Sequence, residues 1–232
     1  MVLEKPHFSI AIDGPAGSGK STVSKLLARR FRLSYVDTGA MYRGVALLAR
    51  RAGAAPGDEE ALSRLAAASE FGFEMDQASP DLLNRVFLNG EEVTSAIREP
   101  EISSLASKVS ALSGVRRALV SKQQQMGRAG GVVMEGRDIC GVVLPGAEVK
   151  IFMDASAEER ARRRHRELAA AGKNVSYEEV LADIKERDHR DSTRADSPLA
   201  PAPDAECVDT GGLSAGQVVE VISYIIEGKT LT

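Results

Sequence analysis

The spacing of apolar positions changes several times along this chain, and each change marks an element. Residues 8–13 form a short unbroken apolar run that ends at a glycine-rich turn, the pattern of a buried strand. Residues 21–31 follow with Val23, Leu26, Leu27 and Phe31 at helical spacing. Residues 33–36 read as a second strand and residues 39–51 as a second helix. Residues 130–134 and 149–153 are further buried-strand candidates, and 206–208 a weaker one. Ser156 and Glu159 form an S-x-x-E capping box, which starts a helix running to about Ala171. Another helix is expected from Tyr177 to about Arg190. A last one follows Ser214, with Val218, Ile222 and Ile225 on one face. Strands alternating with helices predict an α/β fold with a mostly parallel sheet flanked by helices.

One stretch breaks this rhythm. Residues 71–75 and 82–93 alternate as short strands do, and Asn89-Gly90 sits where a two-residue hairpin turn belongs, because both residues tolerate positive φ. An antiparallel patch inside an α/β chain predicts an inserted subdomain, roughly residues 60–100. Pro198, Pro201 and Pro203 mark a loop before the last strand. With no internal repeat, the 232 residues read as a single domain, 1–232, large enough to bury its own core.

Charge narrows the possible partners. Thirty basic and 33 acidic side chains give a formal charge of -3. The chain as a whole therefore has no attraction to nucleic acid or an anionic membrane, and any anion site must come from local clustering. No apolar stretch is long enough to span a membrane, and residues 1–7 show no leader. The two cysteines, Cys140 and Cys207, make no disulfide framework; both sit in apolar runs and read as small hydrophobes. A cytoplasmic, monomeric protein is the expectation.

The chemistry begins at Gly14-Pro15-Ala16-Gly17-Ser18-Gly19-Lys20-Ser21, which fits G-x-x-x-x-G-K-S throughout. Phosphate oxygens must meet backbone N–H groups closely, and a Cβ would obstruct that approach. The helix beginning near Lys20 points its positive end at the anion. Lys20 supplies a mobile charge for the β- and γ-phosphates, and Ser21 is the expected Mg²⁺ ligand. The predicted strand before the motif and helix after it are where this mechanism needs them.

Arginines gather in the second half. Arg160, Arg163 and Arg164 share a helical face, either turned to a ligand or solvated beside Glu158, Glu159 and Glu167. Arg187, Asp191 and Arg194 share another. Arg137 lies just beyond a buried strand, at the sheet end where open α/β proteins bind ligands. Thr38 could cap the second helix and offer its hydroxyl to an anion, with Arg43 one turn on. Two phosphate-bearing substrates repel as they approach, and guanidinium groups neutralise that charge; one well-placed arginine contributes about 10³–10⁵ in rate.

With these pieces assembled, the chain resembles the bacterial cytidylate kinase family over residues 8–226. The marks are D-G-P-A-G-S-G-K-S (13–21), D-T-G-A-M-Y-R (37–43), E-G-R-D (135–138), K-I-F-M-D-A-S (150–156) and I-K-E-R-D-x-R-D (184–191). The resemblance implies transfer of the γ-phosphate of ATP to CMP or dCMP with Mg²⁺. It implies a nucleoside-monophosphate-kinase core, an acceptor-binding insert with a small antiparallel sheet, and an arginine-bearing lid over residues 157–175. The donor site so implied comprises Asp13, the glycine-rich loop through Ser21, Thr22, Arg160 and Arg164. Cytosine is expected to meet Ser107, Arg116 and Asp138, and the sugar Arg187 and Asp191. Thr38, Arg43, Arg137 and Arg194 are expected to hold the acceptor phosphate, with Tyr42 packed beside it. Lys20, Arg137, Arg160, Arg187 and Arg194 form the expected catalytic set.

Two positions depart from the family's usual sequence: Glu135 replaces a common Asp, and Cys140-Gly141 stands where Gly-Thr is frequent. The expected mechanism is direct in-line transfer that needs no general base, so His7, His165 and His189 read as solvated. The alternatives are a P-loop kinase for another small acceptor and a non-catalytic ATP-dependent regulator.

Overall fold

The computed structural model describes residues 7–76, 79 and 82–230; residues 1–6, where no leader is read, lie outside them. Five parallel strands form the main sheet: β1 (Ile10–Asp13), β2 (Ser34–Asp37), β6 (Val132–Gly136), β7 (Val149–Asp154) and β8 (Glu206–Asp209), in the order β2-β6-β1-β7-β8. Its central strands are apolar because both faces are covered, as parallel sheets require. On one face Ile10, Ile12, Val133, Ile151 and Met153 pack against α1 (Lys20–Phe31) and α8 (Ala215–Thr230). On the other, Ala11, Val36, Val132 and Met134 pack against a π-helical turn, Ile139–Val143.

Between α2 (Thr38–Ala52) and β6 the chain builds a second layer. It comprises α3 (Glu59–Ala68), an antiparallel sheet of β3 (Phe71–Met75), β4 (Asn84–Leu88) and β5 (Glu91–Glu92), then α4 (Pro100–Val109) and α5 (Ser113–Gly127). A continuous apolar core joins α2 to α3, β3, β4, α4 and α5. Asn89 and Gly90 adopt φ of 52° and 82°, the left-handed pair that a two-residue hairpin turn needs. After β7, α6 (Ala157–Ala170) and α7 (Tyr177–Thr193) pack on each other through Ala161, Val180 and Ile184.

The structure corrects several expectations. β6 starts two residues late because Gly130 and Gly131 both have positive φ and turn under His7, so the ladder begins at Val132. The Ser156 hydroxyl accepts from the Glu159 amide, but Glu159 turns its carboxylate to Arg162 and Arg163. The reciprocal box forms instead at Ser176 and Glu179, at the start of α7. Asp37, not Thr38, caps α2. On α8 the buried stripe is Val218, Val219, Ile222 and Ile226, with Ile225 at its margin. Cys140 is buried, whereas Cys207 is exposed, because β8 is an edge strand. His165 is half-buried, its ring edge-on to Tyr177.

Candidate active site

The glycine-rich loop joins β1 to α1 at the carboxyl end of the sheet. Gly14, Gly17 and Gly19 take φ of 148°, 80° and 89°. A Cβ on Gly14 would lie 2.0 Å from the Met153 carbonyl oxygen, so only glycine fits there. The Lys20 ammonium is folded back, donating to the Pro15 carbonyl at 2.6 Å. Burial, then the Arg137 guanidinium, hold its pKa well below that of a free lysine, while Glu135 and Asp13 act in the other direction. An ammonium so crowded gains from an incoming polyphosphate. Ser21 and Thr22, in the first turn, are exposed.

Asp13 does something the motif alone did not reveal. Its two carboxylate oxygens accept from the Ile139 and Cys140 amides, each at 2.8 Å. The carboxylate thus caps the π-helical turn and ties the start of the phosphate loop to the Arg137-Asp138 corner. Burial pushes its pKa up and the two amides pull it back. Asp13→Ala is expected to lower stability by about 2–4 kcal/mol, since two buried N–H groups lose their acceptor. Urea unfolding measures this, and an unchanged midpoint would contradict the capping role.

Of the α6 arginines, only some face the loop. Arg160 is buried, donating to the Ala155 carbonyl at 2.8 Å and the Ala16 carbonyl at 3.1 Å, and pairing with Asp188 of α7 at 2.6 Å. Arg163 bonds Thr210, just after β8, and lies over Gly19. Arg164 points to solvent beside Glu167, so the shared face splits. Sequence spacing could not separate Arg163 from Arg164, and nothing in the short β8 singled out Thr210.

Across the sheet end stands a second cluster. Arg137 pairs with Asp191 at 2.9 Å, and Arg43 with Asp37 at 2.7 Å. Arg187 lies near both arginines; burial and Arg137 push its pKa down to about 10, and Arg43 and Arg190 add to the crowding. The Nε atoms of Arg43 and Arg187 and one terminal nitrogen of Arg194 are buried without a partner. Unpaired buried donors on like-charged groups mark a place built for an anion. Thr38 donates to the Glu135 carbonyl at 2.7 Å, so its hydroxyl must turn from that carbonyl to donate to an anion here.

Beside these arginines, Arg116 of α5 pairs with Asp138 in a buried contact. The Arg116 guanidinium also lies 5.9 Å from the Tyr42 ring centre. Burial raises the Tyr42 phenol to about 12, so it stays neutral. Ser107 of α4 is buried, and its hydroxyl accepts from Arg190 of α7. Arg190 stands inside the 184–191 motif, but nothing in the sequence pairs it with Ser107, 83 residues away.

A family model described as cytidylate kinase matches residues 10–228. A cytidylate kinase of Solibacter usitatus is 50% identical over 222 residues, covering 95% of this chain and 92% of that protein. One from Pelotomaculum thermopropionicum is 52% identical over 214 residues, covering 92% and 93%. The chain belongs to the cytidylate kinase family. For the fold alone, a solved structure of an uncharacterized protein from Eubacterium ventriosum aligns with a TM-score of 0.53 at 12% identity, covering 96% of this chain and 99% of that one.

Within the cytidylate kinase framework, both unusual positions find a structural setting. The longer Glu135 carboxylate, buried, accepts from the Tyr35 hydroxyl at 2.5 Å and lies near the Ser21 hydroxyl. Cys140 lies beneath the sheet with its sulfur near the Ala11 and Ile151 carbonyls, at 3.5 and 3.6 Å, filling space at the back of the site.

Proposed function

We propose that this chain transfers the γ-phosphate of ATP to CMP or dCMP in one in-line step. The observation that carries this reading is the opposition of two anion sites, the Lys20 loop and the Arg43–Arg187–Arg194 cluster, with Arg137 charge-coupled to both. An acceptor phosphate oxygen attacks the γ-phosphorus as the bond to the β,γ-bridging oxygen breaks and ADP leaves. That oxygen is already anionic, so no base is required. The loop amides and Lys20 hold the donor; Thr38, Arg43, Arg137 and Arg194 hold the acceptor phosphate; Arg187 and Asp191 hold the sugar. Their work is positioning and charge stabilisation.

The base is read by Ser107, Arg116 and Asp138. Cytosine offers an amino donor at N4 and acceptors at N3 and O2. A carboxylate that accepts and a guanidinium that donates match that edge, and uracil leaves buried partners unpaired. The donor set beside the loop suits Mg²⁺: the exposed Ser21 hydroxyl next to the Glu135 carboxylate presents hard oxygens to a hard cation. Bound there with ATP, Mg²⁺ would neutralise phosphate charge. Residues 157–175 act as a lid that excludes water, Arg160 linking it to the loop. Residues from 60 to about 100 form the acceptor-side insert. Every assigned group comes from one chain, so the site is complete in a monomer, and two free thiols suit a reducing cytoplasm.

A coupled assay with ATP and Mg²⁺ tests the reading. Fast turnover of CMP and dCMP is expected, with UMP, AMP and GMP far behind. Preference for another acceptor would discard the base assignment, and ATP binding without transfer to any acceptor would discard the enzyme.

A further inference from the structure

Arg190 stands apart from the groups assigned above. It lies on α7 with Arg187 and Asp191, yet its guanidinium bonds neither of them. One terminal nitrogen donates to the Ser107 hydroxyl at 2.5 Å, and the other pairs with Glu186 at 2.7 Å. Ser107 is buried on α4, and α4 and α7 share little other packing. The bond therefore bridges two elements across the acceptor cleft. Ser107 also anchors a chain of contacts. Its carbonyl accepts from the Ser110 hydroxyl at 2.9 Å, the Ser110 carbonyl accepts from Arg116 at 3.2 Å, and Arg116 pairs with Asp138.

We propose that Arg190 is a specificity-determining residue for the acceptor base, acting by positioning the Ser107 hydroxyl. The inference rests on Ser107 being a base-reading residue. A serine hydroxyl has three rotamers and can both donate and accept, so on its own it distinguishes a ring amino group from a carbonyl poorly. A guanidinium donating to its oxygen selects one rotamer and fixes which part of the hydroxyl faces the base. Charge-assisted bonds of this kind are about twice as strong as neutral ones, so the choice is firmly held. Arg190 sits at the far end of that chain from Asp138, so its loss frees one reading group while the rest of the chain stays in place. A solvated surface arginine would spend its second nitrogen on water or another carboxylate, not on a buried hydroxyl from a different layer.

The test measures kcat and KM for CMP and UMP in wild type, Arg190→Met, Arg190→Lys, Ser107→Ala and the double variant, with thermal melts to confirm folding. Arg190→Met is expected to raise KM for CMP about tenfold with kcat within twofold, and to lower the CMP-to-UMP ratio of kcat/KM about tenfold. The lysine variant should recover part of that ratio. The double variant should lose no more discrimination than Ser107→Ala alone, because the two residues act as one unit. Glu186→Gln, which removes only the surface partner, should leave all values at wild type. Additive losses, or a fall in kcat with KM unchanged, would overturn the proposal by placing Arg190 on the phosphate. An unchanged ratio in Arg190→Met beside a reduced one in Ser107→Ala would also overturn it. If Ser107→Ala keeps full discrimination, the base reading of Ser107 fails, and the inference with it.

Discussion

Lys20→Ala is expected to lower kcat by roughly 10³-fold or more while the protein stays folded. The ammonium is buried against the Pro15 carbonyl at 2.6 Å and the Ser18 hydroxyl at 3.3 Å, so it has a structural partner as well as a chemical task. Losing the carbonyl bond costs about 1 kcal/mol, which for a chain of this size shifts the melting temperature by only about 2–4 °C. That cost is partly offset, because burial and Arg137 both disfavour the charged ammonium. Alanine removes both penalties. The loss of turnover is therefore expected to come with near-native thermal stability. A stopped-flow transfer assay alongside calorimetry checks both halves. Normal turnover would sink the mechanism; a collapsed fold would show the lysine to be a strut.

How much of this was legible in the sequence depended on whether the pattern was apolar or polar. The five core strands and helices α1, α2, α6, α7 and α8 are written in hydrophobic spacing, and each appears within three residues of its expected place. α5 was missed because its inward face carries Arg116 and Gln123, both buried, which disguises the helical period. α4 hid for a related reason: serines fill it, and its start is marked only by Pro100. The apolar residues after Asp138 carry no helical signal, and the Asp13 carboxylate at their amides explains why they coil. In the site, glycine loops and motif arginines were readable because their chemistry constrains residue type. The partners of Arg163, Tyr35 and Arg190 were not, because each lies more than 40 residues away in sequence.

Arg137→Ala is expected to reduce kcat by about 10³–10⁵, the range for one arginine that meets transition-state charge. Its position explains why. Arg137 follows β6, pairs with Asp191 at 2.9 Å, and depresses the pKa of both Lys20 and Arg187. Arg187 also acts on Lys20, but Arg137 is the stronger of the two, as expected of a charge standing where the transferred phosphoryl group must pass. Removing it breaks a pair with Asp191, but Arg187 remains beside that carboxylate and loses a repulsive neighbour. These effects oppose each other, and thermal stability is expected to change by no more than a few degrees. A site crowded with like charge stores unfavourable interactions that its substrates relieve, so losing one charge harms catalysis far more than folding. Arg137→Lys should fall between wild type and alanine, since it keeps the charge and loses the planar donor pair. Single-turnover measurements with saturating nucleotides separate chemistry from binding. A kcat loss under tenfold, or one confined to the KM for ATP, would place Arg137 outside the reacting centre and leave the transfer to Arg43, Arg187 and Arg194.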